Sequence, residues 1–457
     1  MSDGAVSFWW DALGGRPPAR PPLPGPTEAD VAIVGGGYTG LWTAWYLKRA
    51  EPGLRVVVLE REHTGFGASG RNGGWLSGLL AGSREAWART HGRDAVIAAQ
   101  REMFATIDEV AAWCAAEGVD CDLVKGGFLD VATAAPALSR LRADLAEERS
   151  WGFGEEDYAE LGPDEVRARV AVAPARGGVF TPHCARVQPA KLVRGLAAAV
   201  QRIGVEIYED TAVVELAPHV ARTQRGDVRA RWVVRATEGY TAGLAGHKRR
   251  LLPLNSAMIV TEPLGERRWT AIGWAAAETL RDAQHAYSYL QRTADGRIAI
   301  GGRGVPYRFG SATDVAGEVA PQTVLQLRDE LVKLFPVVED ARVDHAWAGV
   351  LGVARDWSPS VGADQATGLA WAGGYVGDGV STANLAGRTL RDVLLGHDTP
   401  LTRLPWVGHR SRAWEPEPLR WLGVHGIYGL YRRADRDEDR TQRPSQLAAV
   451  ADRVSGR

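Results

Sequence analysis

Three glycines spaced as G-x-G-x-x-G, namely Gly35, Gly37 and Gly40, are well suited to binding a phosphate group. Gly35 permits a sharp turn, Gly37 has no Cβ and lets a pyrophosphate approach the backbone, and Gly40 lets a helix pack closely on a strand. Glu60 lies 20 residues beyond Gly40, where a carboxylate can bind ribose hydroxyls. We therefore predict a dinucleotide-binding turn, with a purely structural glycine turn as the less favoured alternative.

The residues around this turn have the pattern of a strand, a helix and a second strand. Residues 31–34 are an apolar run suited to a buried parallel strand, and a helix follows that ends at Pro52-Gly53. Residues 56–59 form the second strand, and Glu60 stands at its end. Free N–H groups and a positive dipole end at the helix N-terminus favour phosphate at the turn.

A second glycine pattern, residues 65–70, begins five residues after the second strand. No new strand precedes it, and Thr90 stands where a second acidic residue would be needed. We interpret residues 65–74 as a flexible loop along the same cofactor, to which its backbone N–H groups and the Arg71 and Asn72 side chains can add contacts.

Another glycine-rich turn, residues 373–379, lies near the C-terminal end of the folded chain. Residues 369–372 form a strand before it, and a helix opens near Ser381 and runs to Leu395. A helix N-terminus aimed at a redox ring favours the negative charge that develops on reduction. The alternative is an ordinary turn before a packing helix.

Short strands between residues 251 and 310 follow one another without helices, which indicates a second, sheet-based domain. The expected fold class is α/β, or α+β overall: a Rossmann-type dinucleotide domain with an inserted sheet domain. The expected division is an N-terminal arm over 1–28, dinucleotide-binding segments over 29–110, 185–250 and 341–397, segments of the inserted domain over 111–184 and 251–340, and a C-terminal extension over 398–457.

Three other segments carry simpler expectations. The aromatic and proline-rich arm is expected to be extended, with its aromatic side chains docked on the protein's own surface. Residues 84–118 have a helical pattern. In the tail, residues 419–433 can form an amphipathic helix, and the charged residues 435–457 are expected to fray.

The composition is that of an ordinary globular protein. The chain has 457 residues, so two domains are expected, and its net charge of -1 gives no general attraction to nucleic acid or anionic membranes. The three cysteines have no metal or redox spacing and suit a reducing cytoplasm. We expect no signal peptide, no membrane-spanning helix and no metal site.

Taken together, these motifs resemble the FAD-dependent D-amino-acid oxidase superfamily, in its glycine oxidase and γ-glutamylputrescine oxidase-like branch. The matching segments cover roughly residues 29–395 and are ADVAIVGGGYTGLWTAWYL, VVVLE with GFGASGRNGG, VQPAKLVRGLA with GVEIYEDTAVVEL, and GGYVGDGVSTANLAGRTL. The resemblance implies a tightly bound FAD, a Rossmann-type FAD domain, a substrate domain built on an antiparallel sheet, and oxidation of a C–N bond in an amine or amino acid.

The resemblance also implies a set of cofactor contacts. Glu60 corresponds to the adenosine-ribose ligand, Val213 to the backbone partner of adenine, and the 373–381 turn to the isoalloxazine contact. The candidate cofactor-binding residues are Gly35, Gly37, Tyr38, Thr39, Gly40, Glu60, Arg61, Gly67, Ala68, Ser69, Arg71, Asn72, Gly73, Gly74, Val213, Thr237, Gly374, Tyr375, Gly377, Gly379, Val380 and Ser381. The loop at 69–74 has no histidine and the cysteines have no attachment context, so non-covalent FAD is predicted.

The substrate residues are less clearly marked than the cofactor residues. In the expected reaction the α-hydride of a neutral amine passes to flavin N5, water hydrolyses the imine, and O₂ reoxidises the flavin to give H₂O₂. Tyr287 and Tyr289 would share one face of a strand, and an arginine could hold a carboxylate in two hydrogen bonds. The candidates are Tyr287, Tyr289, Arg303, His345, Trp347, Arg355 and Asp356. Core packing or structural ion pairing is an equal alternative for each, and His345 as general base is the weakest hypothesis.

Two competing functions stay open at this point. A dehydrogenase would keep the flavin but pass electrons to a quinone or a protein, with residues 419–433 touching a membrane. An NAD-binding, non-flavin protein would leave the 373–381 turn without a role.

Overall fold

The computed structural model describes residues 6–302, 306–313 and 316–455. The α-helices are α1 Phe8–Asp11, α2 Tyr38–Ala50, α3 Arg84–His91, α4 Arg93–Glu117, α5 Ala135–Ser150, α6 Pro163–Arg169, α7 Pro189–Arg202, α8 Glu266–Ile272, α9 Pro321–Leu334, α10 Gly379–Leu395, α11 Leu419–Thr441 and α12 Gln446–Ser455. Short 3₁₀ turns occur at Ala68–Gly70, Glu238–Gly243, Phe309–Ser311, Pro336–Val338 and Pro400–Arg403.

The strands form two large sheets and one small ribbon. They are β1 Thr27–Val34, β2 Val56–Leu59, β3 Trp75–Ser77, β4 Phe128–Ala132, β5 Ala159–Leu161, β6 Gly177–Thr181, β7 Cys184–Arg186, β8 Glu206–Tyr208, β9 Val213–Ala217, β10 Val220–Thr223, β11 Gly226–Arg235, β12 Leu252–Thr261, β13 Thr279–Asp282, β14 Tyr289–Arg292, β15 Ile298–Gly302, β16 Val343–Val353, β17 Ser360–Asp364 and β18 Leu369–Gly373.

The first sheet has the order β17-β18-β11-β1-β2-β8, with the β9–β10 hairpin added to β11. The strands from β18 to β8 are parallel to their neighbours, and β17 is antiparallel to β18. The second half of β1 and all of β2 are buried. Because helices cover the sheet, these central strands are continuous apolar runs. The turn after β1 lies where the strand order reverses, the usual ligand position in such sheets.

The second sheet has the order β16-β12-β15-β14-β13-β4-β6-β5. Its pairs are antiparallel except for β13 with β4. Strands β3 and β7 form the two-stranded antiparallel ribbon. In the chain, β3 precedes β4, β5 and β6, and β7 follows them. The structure thus confirms a mixed α/β fold with a Rossmann-type domain and a largely antiparallel substrate sheet.

Several boundaries differ from the sequence expectations. The helical pattern of residues 84–118 forms two helices, because Gly92 between them has a φ of 83° that ends α3. Strand β16 pairs with β12 in the second sheet, so the expected dinucleotide segment beginning at 341 starts too early. The tail does not fray after 435: α11 continues to Thr441 and packs on α12.

Within the described ranges, no helix is long and apolar enough to cross a membrane. The same residues contain no cluster of three or more His, Cys, Asp or Glu side chains placed to hold a metal ion.

Candidate active site

The turn between β1 and α2 requires glycine for steric reasons. Gly35 has a φ of 110°, and a Cβ atom there would lie 2.5 Å from the carbonyl oxygen of Ala236. A Cβ on Gly40 would lie 2.0 Å from the carbonyl oxygen of Gly35, so this glycine allows α2 to approach the strand. No side chain caps α2 at Gly37. The first turn of the helix therefore presents backbone N–H groups that suit a phosphate.

Glu60 closes the same end of the site from the tip of β2. Its carboxylate accepts hydrogen bonds from the N–H groups of Gly36 (2.7 Å) and Glu62 (3.0 Å). Burial raises the pKa of this carboxyl group above its ordinary value. Beside it, the guanidinium of Arg61 lies 5.6 Å from the centre of the Tyr240 ring. These contacts hold the Glu60 carboxylate where a hydroxyl donor can reach it.

The glycine loop over residues 65–74 is bound to α2 and to itself. Ser69 Oγ accepts a hydrogen bond from the N–H of Tyr38 (2.9 Å). Asn72 Oδ1 accepts one from the N–H of Gly74 (2.7 Å), and its Nδ2 donates to the Ser69 carbonyl (3.0 Å). The loop is therefore a fixed wall of the site, although its composition alone indicated flexibility.

Arg71 is buried inside this loop, with 1% of its surface exposed. Its Nε donates to the carbonyl of Phe66 (2.7 Å), and its Nη1 donates to the carbonyl of Ala348 (3.3 Å) on β16. Trp347 Nε1 donates to the Arg71 carbonyl (2.9 Å). Arg71 and Trp347 thus tie the loop to the second sheet.

The N-terminal arm supports the same loop from behind. We expected an extended segment on the surface, but residues 8–11 form the helix α1, and Trp9 and Trp10 are each 1% exposed. Ser7 Oγ donates to the Gly70 carbonyl (2.7 Å), and Trp9 Nε1 donates to the Asn72 carbonyl (2.8 Å). A Cβ on Gly70 would lie 2.3 Å from Trp10 Nε1. The arm is therefore part of the core that positions the loop.

Glu238 holds the C-terminal glycine turn in place. Its carboxylate accepts hydrogen bonds from the N–H groups of Gly374 (2.9 Å) and Tyr375 (3.1 Å). Burial raises the pKa of Glu238 to about 6, although these N–H groups favour the charged form. The Tyr375 hydroxyl in turn lies 3.1 Å from Thr39 Oγ1 at the start of α2. The two glycine turns are thus joined directly, despite their separation in sequence.

Helix α10 begins at Gly379 and, like α2, has no side-chain cap. Ser381 Oγ donates to the carbonyl of Ser77 on β3, so the serine fixes the helix and leaves its N-terminus to Gly379 and Val380. This helix end provides a second positive dipole end at the site.

These elements enclose a cavity of about 1220 Å³, measured to its open mouth, which we call the cofactor cavity. The expected cofactor residues on its wall are Gly35, Gly37, Tyr38, Thr39, Glu60, Arg61, Gly67, Ala68, Ser69, Asn72, Val213, Thr237, Tyr375, Gly377, Gly379 and Val380. The others lie outside this lining: Gly40, Gly74, Gly374 and Ser381 belong to the packed elements around it, and Arg71 and Gly73 line a neighbouring cavity.

That neighbouring cavity, which we call the substrate cavity, measures about 870 Å³ to its mouth and lies against the second sheet. Arg281 lines it, and its Nε donates to Asp130 Oδ2 (3.2 Å). Burial disfavours the charge of Arg281, but Asp130 more than compensates, so the guanidinium pKa lies above its ordinary value. Tyr287 lies under the guanidinium, 5.2 Å from it, and the Tyr289 hydroxyl is 2.8 Å from Ser256 Oγ.

The two cavities meet at a shared wall. Ala68, Asn72, Val350, Leu351, Gly377 and Val380 line both of them. A molecule in the substrate cavity can therefore reach the end of the cofactor cavity that is formed by the C-terminal glycine turn.

Two of the expected substrate residues lie on the substrate cavity. Tyr287 and Tyr289 both line it, but β14 begins at Tyr289, so Tyr287 belongs to the preceding turn and the two do not share a strand face. Arg303 lies outside the described residues.

The remaining candidates lie in neither lining. His345 Nε2 is 3.0 Å from Asp11 of the arm, and Trp347 supports the loop as described above. Arg355 donates to the Glu415 carboxylate (3.0 Å). The fourth, Asp356, is 2.7 Å from a histidine of the C-terminal extension. The structure thus uses these side chains to attach the N- and C-terminal extensions.

Four side chains of the site are not among the candidates that the sequence suggests. Arg281 and Asp130 lie 151 residues apart and meet because β13 and β4 pair in parallel. Asp378, which lines the substrate cavity, was visible inside the glycine turn but looked like a turn residue. Glu238, at the end of the buried strand β11, occupies the position after a parallel strand where acidic side chains often serve a ligand, and this signal could have revealed it.

This architecture defines a dinucleotide-dependent oxidoreductase with a separate substrate sheet. Residues 30–393 match the DAO family, described as FAD dependent oxidoreductase, and the chain belongs to that family. It is 31% identical to gamma-glutamylputrescine oxidoreductase of Escherichia coli (strain K12), over 80% of this chain and 84% of the relative. It is 24% identical to glycine oxidase of Bacillus subtilis (strain 168), over 81% and 94%.

The fold is also that of solved relatives. Glycine oxidase from Geobacillus kaustophilus superimposes with a TM-score of 0.70 at 23% sequence identity, over 84% of this chain and 100% of that one. The predicted family, cofactor and enzyme class are confirmed: this chain is a flavoprotein oxidoreductase of the amine and amino-acid oxidase type, and its cofactor is FAD.

The cofactor cavity fits FAD by its own features. Helices α2 and α10 both begin at its wall without a side chain from their N-cap residue bonded to the helix. The first would suit the pyrophosphate, and the second would favour the charge of a reduced ring. Glu60 supplies acceptors at the adenosine end. No cysteine or histidine occurs among the described residues that line the two cavities, so none offers an attachment point for a covalent flavin bond.

Proposed function

We propose that the protein oxidises the C–N bond of an amine or amino acid to an imine that water hydrolyses, with O₂ as electron acceptor and H₂O₂ as product. The observation that carries this proposal is the substrate cavity, which opens on the cofactor cavity at Gly377 and Val380 and has the Arg281 guanidinium on its wall. FAD supplies the hydride acceptor, flavin N5, for this reaction.

The protein's own contribution is to bind and orient the substrate. Two N–H groups of Arg281 bond to Asp130, and the fork retains further donors for a substrate carboxylate. Asp130 keeps this guanidinium charged and fixes its direction. The apolar and aromatic wall around it excludes water and strengthens the charge interaction. The residues thus hold one end of the substrate so that its amine faces the cofactor.

The cavity is larger than the smallest amino acids need. A volume of about 870 Å³ accommodates an extended amine that carries a carboxylate at its far end. Asp378 at the wall provides a negative charge near the N-terminus of α10 and can attract a substrate ammonium group. The name of the Escherichia coli relative, a gamma-glutamylputrescine oxidoreductase, describes such a substrate. We propose substrates of this class, a secondary or primary amine with a remote carboxylate.

A test begins with anaerobic bleaching of the flavin absorbance across an amine panel. Glycine, N-methylglycine, L-proline and the γ-glutamyl derivative of putrescine are suitable members, and the last should bleach the flavin fastest. H₂O₂ formation in air is then measured for the best substrate. A flavin that no panel member bleaches would contradict the proposed reaction.

The role of Arg281 is tested by Arg281→Gln with Arg176→Gln as the matched control. Arg176 is an exposed arginine before β6. A charge-assisted hydrogen bond contributes about 1.5–3 kcal/mol, which corresponds to roughly 10- to 150-fold in kcat/KM. Arg281→Gln should lower kcat/KM by this factor for the best substrate, and it should change kcat/KM little for the methyl ester of that substrate. Equal losses on acid and ester would refute carboxylate binding by Arg281.

A dehydrogenase that passes electrons to a quinone or a protein is the second candidate function. Leu419 and Leu422 of α11 are 62% and 55% exposed, and an apolar patch of this kind can contact a partner or a membrane surface. Rapid anaerobic bleaching without H₂O₂ in air, together with turnover when a quinone is added, would favour this alternative. A cytoplasmic location stays a prediction from the sparse cysteines.

A further inference from the structure

A third cavity lies behind the C-terminal glycine turn and has no part in the proposed reaction. It measures about 970 Å³ to its mouth and shares no lining residue with the cofactor cavity. We call it the basic cavity because its wall carries Arg235, His247, Arg250 and Arg410.

The C-terminal glycine turn lies between the basic cavity and the cofactor cavity. Gly373 lines the basic cavity, whereas Tyr375 lines the cofactor cavity. A Cβ on Gly374 would meet Leu251, Ser358 and Ala354 at 3.5–3.6 Å, and all three of these residues line the basic cavity. A ligand here would therefore lie against the rear of the turn that contacts the cofactor.

Among the described residues, few carboxylates face the positive charges of this cavity. Arg235 Nη1 donates to the neutral Thr241 hydroxyl (3.0 Å). Burial lowers the pKa of Arg235 to about 10; the Glu238 carboxylate opposes this shift, and Arg250 adds to it. The described lining contributes one carboxylate, that of Asp364. It lies 4.0 Å from the Arg410 guanidinium, which is beyond hydrogen-bonding distance. Like charges gathered in a cavity favour the binding of an anion between them.

His247 provides independent evidence for a missing partner. Its Nδ1 is buried and has no hydrogen-bond partner among the described residues. Burial and the charges of Arg235 and Arg250 lower the pKa of His247 to about 4. A buried ring nitrogen that lacks a partner normally marks a site for water, an ion or a ligand.

We propose that the basic cavity binds a small oxyanion, of the inorganic phosphate or dicarboxylate kind, between Arg235, His247 and Arg250. The Ser358 and Ser360 hydroxyls on the same wall already donate to the carbonyls of Asp356 and His409. The arginine and histidine side chains therefore supply the donors for the anion. The volume admits a molecule of this size, and Leu216, Leu251, Leu369 and Trp371 form an apolar part of the wall.

The bound anion would be coupled to the flavin through one side chain. Glu238 attracts Arg235 and also holds the N–H groups of Gly374 and Tyr375. An anion beside Arg235 competes with Glu238 for the same positive charge. Its binding should therefore perturb the turn and alter the absorbance spectrum of the bound flavin.

Isothermal titration of the FAD-loaded protein tests the site, because FAD already fills the phosphate-binding turn at α2. Sodium phosphate, sodium sulfate and sodium succinate are titrated separately, with sodium chloride at equal ionic strength as the reference. We expect saturable binding of at least one oxyanion, accompanied by a flavin difference spectrum. Phosphate and sulfate binding without succinate binding assigns a phosphate-type ligand, and the reverse assigns a dicarboxylate.

Arg250→Gln locates the binding, and Arg89→Gln is the matched control. Both arginines are exposed, and Arg89 lies at the end of α3, outside the lining of this cavity. Arg250→Gln should weaken the oxyanion about tenfold, which corresponds to about 1.4 kcal/mol, and Arg89→Gln should leave it unchanged. His247→Asn should weaken it as well, because the ring can no longer donate.

The proposal is overturned if no oxyanion binds beyond the chloride reference, or if Arg250→Gln and Arg89→Gln bind it equally. Circular dichroism and flavin content establish that each variant is folded and loaded. None of these measurements needs an amine substrate, so failure of the proposed oxidase activity would not affect them.

Discussion

Glu238→Gln tests whether a buried carboxylate holds the cofactor turn. Glu238 has an ordinary pKa of 4.5 that burial raises to about 6, so its charged form costs the folded state about 2 kcal/mol, at about 1.36 kcal/mol per pKa unit. Because the folded-state pKa is raised, this group's stabilising contribution is present below pH 4.5 and is lost as the pH rises through about 6. Glutamine in this position removes the pH-dependent contribution to the free energy of unfolding. It also leaves one acceptor oxygen for the N–H groups of Gly374 and Tyr375.

The expected result is a difference in melting temperature that depends on pH. Unfolding entropy is about 2.1 cal/mol/K per residue, so for 457 residues a change of 2 kcal/mol shifts Tm by about 2 °C. The Tm of the wild type minus that of Glu238→Gln should fall by about 2 °C between pH 4.5 and pH 7.5. Differential scanning calorimetry with excess FAD measures this difference in Tm. The loss of one acceptor should also speed FAD release at every pH.

A matched control separates this effect from a general loss of negative charge. Glu51→Gln removes an exposed carboxylate at the end of α2. A Tm difference for Glu238→Gln that does not change with pH would refute the raised pKa. Unchanged FAD release would refute the role of Glu238 in holding Gly374 and Tyr375.

Three further predictions concern the cofactor. Gly40→Ala should abolish FAD binding, since its Cβ would lie 2.0 Å from the Gly35 carbonyl; retained flavin absorbance would contradict this. Trp9→Phe removes the hydrogen bond to Asn72 but keeps an aromatic ring, so FAD release should accelerate about fivefold at a cost of about 1 kcal/mol; Trp421→Phe on α11 is the control. Acid denaturation should release all flavin into the supernatant, and a yellow pellet would show covalent attachment.

The dinucleotide half of the site could be predicted from local sequence. The requirements of a tight turn are met by residues that are close along the chain. The spacing of Gly35, Gly37 and Gly40 therefore predicts the turn between β1 and α2. The same holds for the turn before α10. Local patterns located α2, α10 and the strands before them, but they missed β16, whose alternating small and apolar residues resemble the glycine-rich segments that follow.

The substrate half could not be predicted in the same way. Arg281 and Asp130 come from strands that become neighbours only when the second sheet forms, and no local pattern marks either of them. His345 and Arg355 have the chemical groups that catalysis would need, yet they pair with Asp11 and Glu415 in the terminal extensions. Residue type alone cannot distinguish a structural ion pair from a substrate anchor.

The sequence alone predicts a cofactor turn at each end of the FAD domain, because glycine positions and strand–helix alternation are properties of short segments. Tertiary structure decided how the two turns are joined, through the Glu238 carboxylate and the contact of Tyr375 with Thr39. It also decided that the N-terminal arm is core. Such long-range contacts depend on which surfaces meet when the chain is compact, and burial then sets the charge of groups such as Glu238.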